Sequence, residues 1–259
     1  MKAVLPGCMR QGTKIISNQG WINPDGAAKR IVHWLQTMGY KGVKVASVNG
    51  SLITDKVLSM TDRILENGKP TASLADNLIS AEVYLGAEPI AQALAAGAQI
   101  VVTGRVADPS IFMAPMMHEF GWDPMDAARL GQGMGIGHLM ECGAQVTGGY
   151  FSDPGFKDVP EPWNFGFPIA EVEPDGTATL CKVAGTGGAI NLQTVKEQML
   201  YEVHDPANYL TPDVVVDFTT AQLEQVGVNR VKVSKIGRSE EHTSELQSLA
   251  YLVCRLLLE

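Results

Sequence analysis

The sequence predicts an α/β fold: a mostly parallel sheet flanked by helices, with a β-hairpin-rich extension toward the C-terminus. Three observations carry that prediction. Short apolar strand signals alternate with amphipathic helices through the first half of the chain, the pattern of right-handed crossovers in a parallel sheet. Gln99-Ile100-Val101-Val102-Thr103 is a continuous apolar run of the kind buried on both faces. After about residue 148 the character changes to Pro/Gly-rich loops and two hairpin signals.

Taken in order, Lys14 to Asn18 reads as a short buried strand, followed by Asn23-Pro24, an N-cap with proline at the first helical position. The helix that follows places Ile31, Trp34, Leu35 and Met38 on one stripe and reaches Gly39, placed for a left-handed C-cap. Val43 to Val48 is the next strand, Asp55 to Glu66 the next helix, and Ala81 to Leu85 a further short strand. Pro89 opens a helix over Ile90 to Ala96 that Gly97 stops, and Gln99 to Thr103 follows as a strand. Asp108-Pro109-Ser110 then caps a helix with a kink at Pro115 and an end at Gly121. A helix from about Asp126 to Cys142 is interrupted or preceded by Gly131, Gly133, Gly135 and Gly137. Beyond the loop from Gly148 to Pro168, Ile169–Val172 and Ala178–Val183 flank the turn Glu173-Pro174-Asp175-Gly176. A helix from Thr194 to Val203 opens on a capping-box pattern, Thr194 to Glu197. Val214–Gln225 and Arg230–Val233 flank Gly227-Val228-Asn229.

The chain has 259 residues, 45% hydrophobic and 19% charged, which suits a globular body with one substantial core. Its net charge of −8 and the absence of a basic run exclude a nucleic-acid or anionic-membrane surface and favour a small-molecule partner. No stretch approaches the roughly 18 apolar residues of a spanning helix, and residues 1–12 lack a signal-peptide core, so the expectation is a cytoplasmic protein that does not enter a membrane. The cysteines (Cys8, Cys142, Cys181, Cys254) form no C-x-x-C pair, which argues against a disulfide framework or a zinc knuckle. Buried free thiols are the plainer reading.

In an open parallel sheet, ligands bind beyond the carboxyl ends of the strands, and that rule selects Asn18, Asn49, Thr103, Arg105 and Asp108. Arg105 can hold a carboxylate or phosphate bidentately, and Asp108 can orient it or move a proton; equally, Asp108 can cap its helix and pair with Arg105. His138 and Glu141 lie three apart on one helix face, which suits proton transfer by Glu141 or a metal-ligand pair, although two ligands do not make a metal site. Hydrogen-bonded helix residues are the plainer reading. Cys142 beside them is a nucleophile only with a base nearby. Gly185-Thr186-Gly187-Gly188 can offer backbone N–H groups to an anion or form a tight structural turn. His204 suits a last helical turn. No G-x-x-x-x-G-K-[ST] exists, and Ile136 and His138 spoil G-x-G-x-x-G, so no nucleotide cofactor is evident.

The stretches "YLGAEPIAQALAAGAQIVVTGRVADPS", "GHLMECGAQVTGGYFSDPGFKDVP", "GFPIAEVEPDGTATLCKVAGTGG" and "TVKEQMLYEVHDPANYLTPDVVVDF" resemble the core domain of the AtuA family, named for acyclic terpene utilisation. The similarity runs from about Ile15 to Lys235. It implies a role in catabolism of acyclic terpenes or branched-chain acids, whose intermediates travel as acyl-CoA thioesters, and brings no catalytic residues with it. Two function classes follow. One is an enzyme of lyase or hydratase type acting on a carboxylate or acyl-CoA, with Arg105 and the Gly185 loop holding anionic groups and Asp108 or Glu141 moving a proton. The other is a non-catalytic binding or accessory subunit; a homo-oligomer fits either. Family members usually carry a further N-terminal βα segment and often a small C-terminal domain, so a core at 1–237 cut at both ends is expected. Arg238 to Ser248, "RSEEHTSELQS", can be written in codons that spell a common short-read sequencing adapter in frame, which marks 238–259 as a non-native tail; the alternative is an amphipathic C-terminal helix with Leu249, Leu252 and Leu256 as its stripe.

Overall fold

The structure is a computed structural model describing residues 1–64 and 67–238, together with the backbone of 254–257. The helix expected from Asp55 reaches Glu66, and the tail begins at Arg238; Leu65, Glu66 and nearly all of that tail, with Leu249 and Leu252, lie outside the described residues. The chain forms two compact units. The first holds residues 1–85 and 92–106 with the strand at 254–257; the second holds 86–91 and 107–238.

The first unit is built on a four-stranded sheet of order β1-β3-β2-β11, with β1 at Ile15–Ser17, β2 at Val45–Val48, β3 at Ile100–Thr103 and β11 at Cys254–Leu257. β3 pairs in parallel with both β1 and β2, whereas β11 runs antiparallel to β2. β2 and β3 are buried throughout, as their apolar runs require, but β1 is only half-buried because it is an edge strand. One face carries Val45, Ile100 and Val102 and packs against α1 (Leu5–Gln11) and α2 (Pro24–Thr37) through Leu5, Ala28, Ile31 and Leu35. Burying each large aliphatic side chain there contributes about 1.5–3 kcal/mol. α2 starts as expected, with the Asn23 side chain accepting from Gly26 N–H at 2.9 Å, and its stripe meets the core at Ile31 and Leu35 while Trp34 and Met38 lie at the margin.

Two expected elements of this unit are much smaller than predicted. The helix from Asp55 is a single turn, α3 (Thr54–Val57), because Ser59 Oγ donates to the Lys56 carbonyl and Thr71 Oγ1 to the Met60 carbonyl, diverting the backbone from further helix. Residues 81–85 are extended but form no strand; they meet their neighbours through isolated bridges, Leu52 with Glu82 and Leu85 with Val106.

The second unit is mostly antiparallel. Its sheets have the orders β4-β5-β9-β8 and β10-β7-β6. β4 (Pro168–Val172) and β5 (Ala178–Lys182) form the first expected hairpin, and β8 (Gln222–Gly227) with β9 (Arg230–Ser234) the second. The long strand expected from Val214 is divided: β7 (Val215–Asp217) turns into a 3-10 helix at Phe218–Thr220 and joins β6 (Tyr209–Leu210) and β10 (Gly237–Arg238) in the other sheet. The parallel sheet is therefore a three-strand element of a mixed α/β chain, and antiparallel pairing outweighs it.

Seven helices occur among the described residues. Besides α1–α3 they are α4 (Glu88–Ala95), α5 (Asp108–Phe120), α6 (Ala127–Met140) and α7 (Leu192–Met199). α5 runs through Pro115 to a left-handed Gly121, φ 62°. α6 contains all four glycines without interruption, and each has a packing reason. Successive glycines two apart alternate between opposite faces. A Cβ at Gly133 would sit 2.8 Å from the Trp122 ring, and one at Gly137 would strike the Pro109 backbone; on the other face a Cβ at Gly131 would meet the Gly237 carbonyl at 2.9 Å, and one at Gly135 the Ile236 side chain at 2.5 Å. The helix is clasped on two sides at backbone distance. α7 is capped by Asn191, whose side chain accepts from Thr194 N–H while Thr194 Oγ1 accepts from Asn191 N–H, three residues before the expected box; it ends at Met199, so exposed His204 lies beyond it.

Candidate functional site

The carboxyl ends of the parallel strands gather Asn18, Asn49, Thr103 and Arg105 in the first unit. Asn18 is exposed, and its carbonyl accepts from Trp21 N–H at 3.2 Å to close the turn after β1. In that turn Gly20 is buried where a Cβ would collide with the Thr103 carbonyl, and Trp21 takes a left-handed φ of 47°. Asn49 Nδ2 donates at 2.9 Å to Asp25 Oδ1, which also accepts from Ser47 Oγ at 2.6 Å. Asp25 sits in the first turn of α2, where a carboxylate is favoured. Thr103 is fully buried, with its hydroxyl donating to the Gly104 carbonyl at 2.8 Å, so its side chain is turned into the structure.

Arg105 is the centre of this edge. Its guanidinium lies over Trp21 at 5.3 Å and over Tyr84 at 5.5 Å from the ring centroids. Nε donates to Glu82 Oε2 at 2.9 Å and Nη1 to the Tyr84 hydroxyl at 3.5 Å, while its backbone N–H donates to Ser51 Oγ at 3.2 Å. The carboxylate that holds Arg105 is thus Glu82's, and the bond to it, followed by the one to Tyr84, raises the guanidinium pKa further above its ordinary value. Glu82 and Tyr84 reach the same guanidinium because they are two apart on an extended segment, which Val83 N–H anchors to the Ser51 carbonyl at 2.8 Å. The Arg105 side chain is 34% exposed against 14% for Glu82, so the cation faces outward from a covered counter-charge. Among the described residues no hydrogen bond engages Nη2, and that end of the fork remains open to a carboxylate.

Asp108 and Glu141 belong to the second unit. Asp108 is the first residue of α5 rather than its cap: the N-cap is Ala107, which makes no side-chain bond. Glu141 follows α6 in extended conformation, and Cys142 after it is left-handed at φ 58°. The Cys142 thiol donates to Glu141 Oε1 at 2.9 Å. Burial raises the Glu141 pKa above its ordinary value despite the thiol bond, and the negative charges of Asp108 and Glu202 add to that, which places the two candidate carboxyls within electrostatic reach of each other. The same surroundings, burial first and then the Glu141 bond, push the Cys142 thiol up to about 12, so it is a neutral donor and not a nucleophile at neutral pH. Burial lowers His138 to about 4; the ring lies 3.1 Å from the Gln198 carbonyl and packs on Tyr209 and Phe218, which leaves it neutral and committed to the core. Among the described residues no group of His, Cys, Asp and Glu side chains is placed to hold a metal ion.

The Gly185 loop is organised around itself. Gly185 is an exposed left-handed turn residue with φ 72°. Gly187 N–H donates to the Asn164 carbonyl at 2.7 Å and Gly188 N–H to the Pro160 carbonyl at 2.6 Å, while Lys182 Nζ donates to the Thr186 carbonyl at 2.5 Å. Two of the amides expected to face an anion are therefore engaged by carbonyls.

The residues that complete the Arg105 edge, Trp21, Asp25, Glu82 and Tyr84, were not among the sequence candidates. The strand-end rule selects loops after strands, whereas Asp25 lies on a helix and Glu82 and Tyr84 on an extended segment that belongs to no named strand. A charged-aromatic alternation at 82–84 was the signal present for them. No helix among the described residues is long and apolar enough to cross a membrane.

No curated protein and no solved structure matches this chain. A family model, that of acyclic terpene utilisation family protein AtuA, matches residues 1–252, which spans both units and every site residue above. The chain belongs to the AtuA family.

Proposed function

We propose that this protein binds a branched-chain carboxylate or its acyl-CoA thioester during the breakdown of acyclic terpenes or related branched acids, at the Arg105 edge of the parallel sheet. One observation carries the reading: an outward-facing guanidinium within cation–π distance of the Trp21 and Tyr84 rings, with Nε fixed by Glu82 and Nη2 without a hydrogen bond among the described residues. A fork held rigid in this way presents its remaining donors to a carboxylate with little ordering cost. The family membership supports the substrate class.

Whether the protein also carries out chemistry is a question the second unit's own carboxyls raise, apart from the Arg105 edge. Glu141, with its raised pKa and its neighbour Asp108, suits proton transfer of the kind a lyase or hydratase needs. A neutral Cys142 and a core-bound His138 instead favour an accessory, non-catalytic role. Calorimetric titration with branched carboxylates and their CoA thioesters, alongside mass detection of product, separates these. Binding lost in Arg105→Ala supports the ligand site; product that disappears in Glu141→Gln with binding retained supports the enzyme. Absence of binding by either ligand class refutes the proposal.

A further inference from the structure

Resting on that reading, we infer that the excursion described at residues 55–64 and 67–80 is a lid, hinged where 51–54 pair with 81–83, that lays its apolar side chains over a ligand held at Arg105. The hinge is a short antiparallel neck. Ile53 N–H donates to the Ala81 carbonyl at 2.8 Å, Val83 N–H to the Ser51 carbonyl at 2.8 Å and Ala81 N–H to Thr54 Oγ1 at 3.0 Å. Gly50, at φ 112°, leads into the first arm through a backbone conformation that other residues rarely adopt, the kind of position that absorbs a hinge rotation. Arg105 is bonded to both arms: its N–H donates to Ser51 Oγ on one, and its guanidinium reaches Glu82 and Tyr84 on the other. A ligand that takes Nη2 touches the residue to which the neck is fastened, which couples binding to the position of the excursion.

Beyond the neck the excursion is stitched to itself. Among the described residues, every hydrogen bond made by 55–64 and 67–80 ends between Ile53 and Ala81; Ser59 Oγ donates to the Lys56 carbonyl, Thr71 Oγ1 to the Met60 carbonyl and Arg63 Nη1 to the Gly68 carbonyl. Its regular structure, among those residues, is α3 and a 3-10 helix at Thr71–Leu74, and Thr71 is the one of them that is buried. Loops longer than roughly 12–15 residues with so little structure of their own are usually lids or binding loops. A segment with few buried contacts, closed off at a neck, opens as a unit at low free energy. Yet this exposed segment carries Leu58, Met60 and Ile79 outward, Ile79 at 95% exposure. The Arg105 edge has exposed apolar side chains of its own in Leu52 and Tyr84 on the two arms and Trp21 and Ile22 in the turn after β1. Two apolar sets joined by one neck bury each other's surface when a hydrocarbon chain lies between them.

Whichever of 3,7-dimethyloctanoate and its CoA thioester binds the full chain in calorimetric titration serves as the ligand for the test. Within the excursion trypsin has exposed sites after Lys56 and Arg63, whereas Lys69 precedes a proline and is spared. Ligand at about ten times its Kd should slow those two cuts about tenfold relative to cuts elsewhere, because opening must await release. Ile79→Ser should leave the melting temperature unchanged and weaken binding about tenfold, the value of burying one large aliphatic side chain. Replacing 55–80 by a short Gly-rich link, feasible because Thr54 and Ala81 already meet at 3.0 Å, should weaken binding at least as much in a protein that still melts cooperatively. Chains that resist cutting at both positions, cuts that ligand slows no more than cuts elsewhere, or an Ile79→Ser variant that binds as tightly as the parent overturn the lid and leave a ligand-binding role in place. If neither acid nor thioester binds the parent, the functional proposal itself fails.

Discussion

Replacing Asp213 by alanine should destabilise the protein by about 2–3 kcal/mol, while asparagine should be tolerated. Asp213 Oδ1 accepts from the Ala87 N–H at 2.8 Å and Oδ2 from the Ser110 hydroxyl at 2.7 Å, so one carboxyl ties the entry of α4 to the first turn of α5. Both donors sit on residues with 0% exposure. A buried donor left without a partner costs about 1–3 kcal/mol; Asp213 keeps partial residue exposure although its carboxyl group is enclosed, so water can recover part of two such losses. Asparagine keeps an acceptor for Ala87, and the Ser110 hydroxyl can rotate to accept from the new amide. Burial, opposed by these two bonds, raises the Asp213 pKa above its ordinary 3.8. Between the ordinary and the raised value the native state binds the proton more tightly than the unfolded chain, so stability falls as pH rises through that window. Asp213→Asn removes this dependence and should equal or exceed the parent at pH 7. Urea denaturation of the three proteins at pH 7 and again near pH 4.5 measures both effects. An asparagine variant as unstable as the alanine one would refute the account, because it would show that the charge itself, and not the acceptors, holds the two segments.

Two further outcomes follow from the packing of the second unit and the chemistry at its α6 terminus. Gly137→Ala should cost about 1–3 kcal/mol because its Cβ meets the Pro109 backbone, whereas Gly7→Ala in α1, with nothing within 4 Å of the new methyl, should gain up to about 1 kcal/mol; thermal melts compare the two directly. Cys142, exposed yet with a thiol pushed up to about 12, should react with iodoacetamide at pH 8 about 100-fold more slowly than free cysteine, and faster in Glu141→Gln; labelling at an ordinary rate would remove the Glu141 bond from the account.

The parts of the fold legible in the sequence were those where local signals and tertiary packing agree. Asn23-Pro24, the run at 100–103 and the Asp175-Gly176 turn each specify their element without help, and each is present where expected. Where the outcome depends on distant partners, the sequence misleads. Gly131 to Gly137 look like a helix breaker by propensity, at about 1 kcal/mol per glycine, but the close approach of Pro109, Trp122, Ile236 and Gly237 requires them inside a helix. Val214 to Gln225 has strand character throughout, and only the Asp217 side chain, which accepts from Thr219 N–H at 2.8 Å, shows why it turns at Phe218 and splits between two sheets.

The candidate site divides along the same line. The strand-end rule finds Arg105 because it is a statement about backbone topology, and topology was the legible part. It also returns Thr103 and Asn49, whose polar groups face the Gly104 carbonyl and Asp25, since the rule cannot tell a side chain that lines a crevice from one that holds its wall. The partners that give Arg105 its character come from segments with no such rule. Trp21 depends on a left-handed turn made feasible by Gly20, and Glu82 and Tyr84 depend on an extended stretch that bridges only at Leu52 and Val106. The sequence therefore supplies the cation, and the fold supplies its orientation. A guanidinium whose Nε is bonded to Glu82 and whose Nη1 reaches the Tyr84 hydroxyl, beside the Trp21 and Tyr84 rings, keeps Nη2 for an anion, and that restriction makes a surface arginine a candidate site.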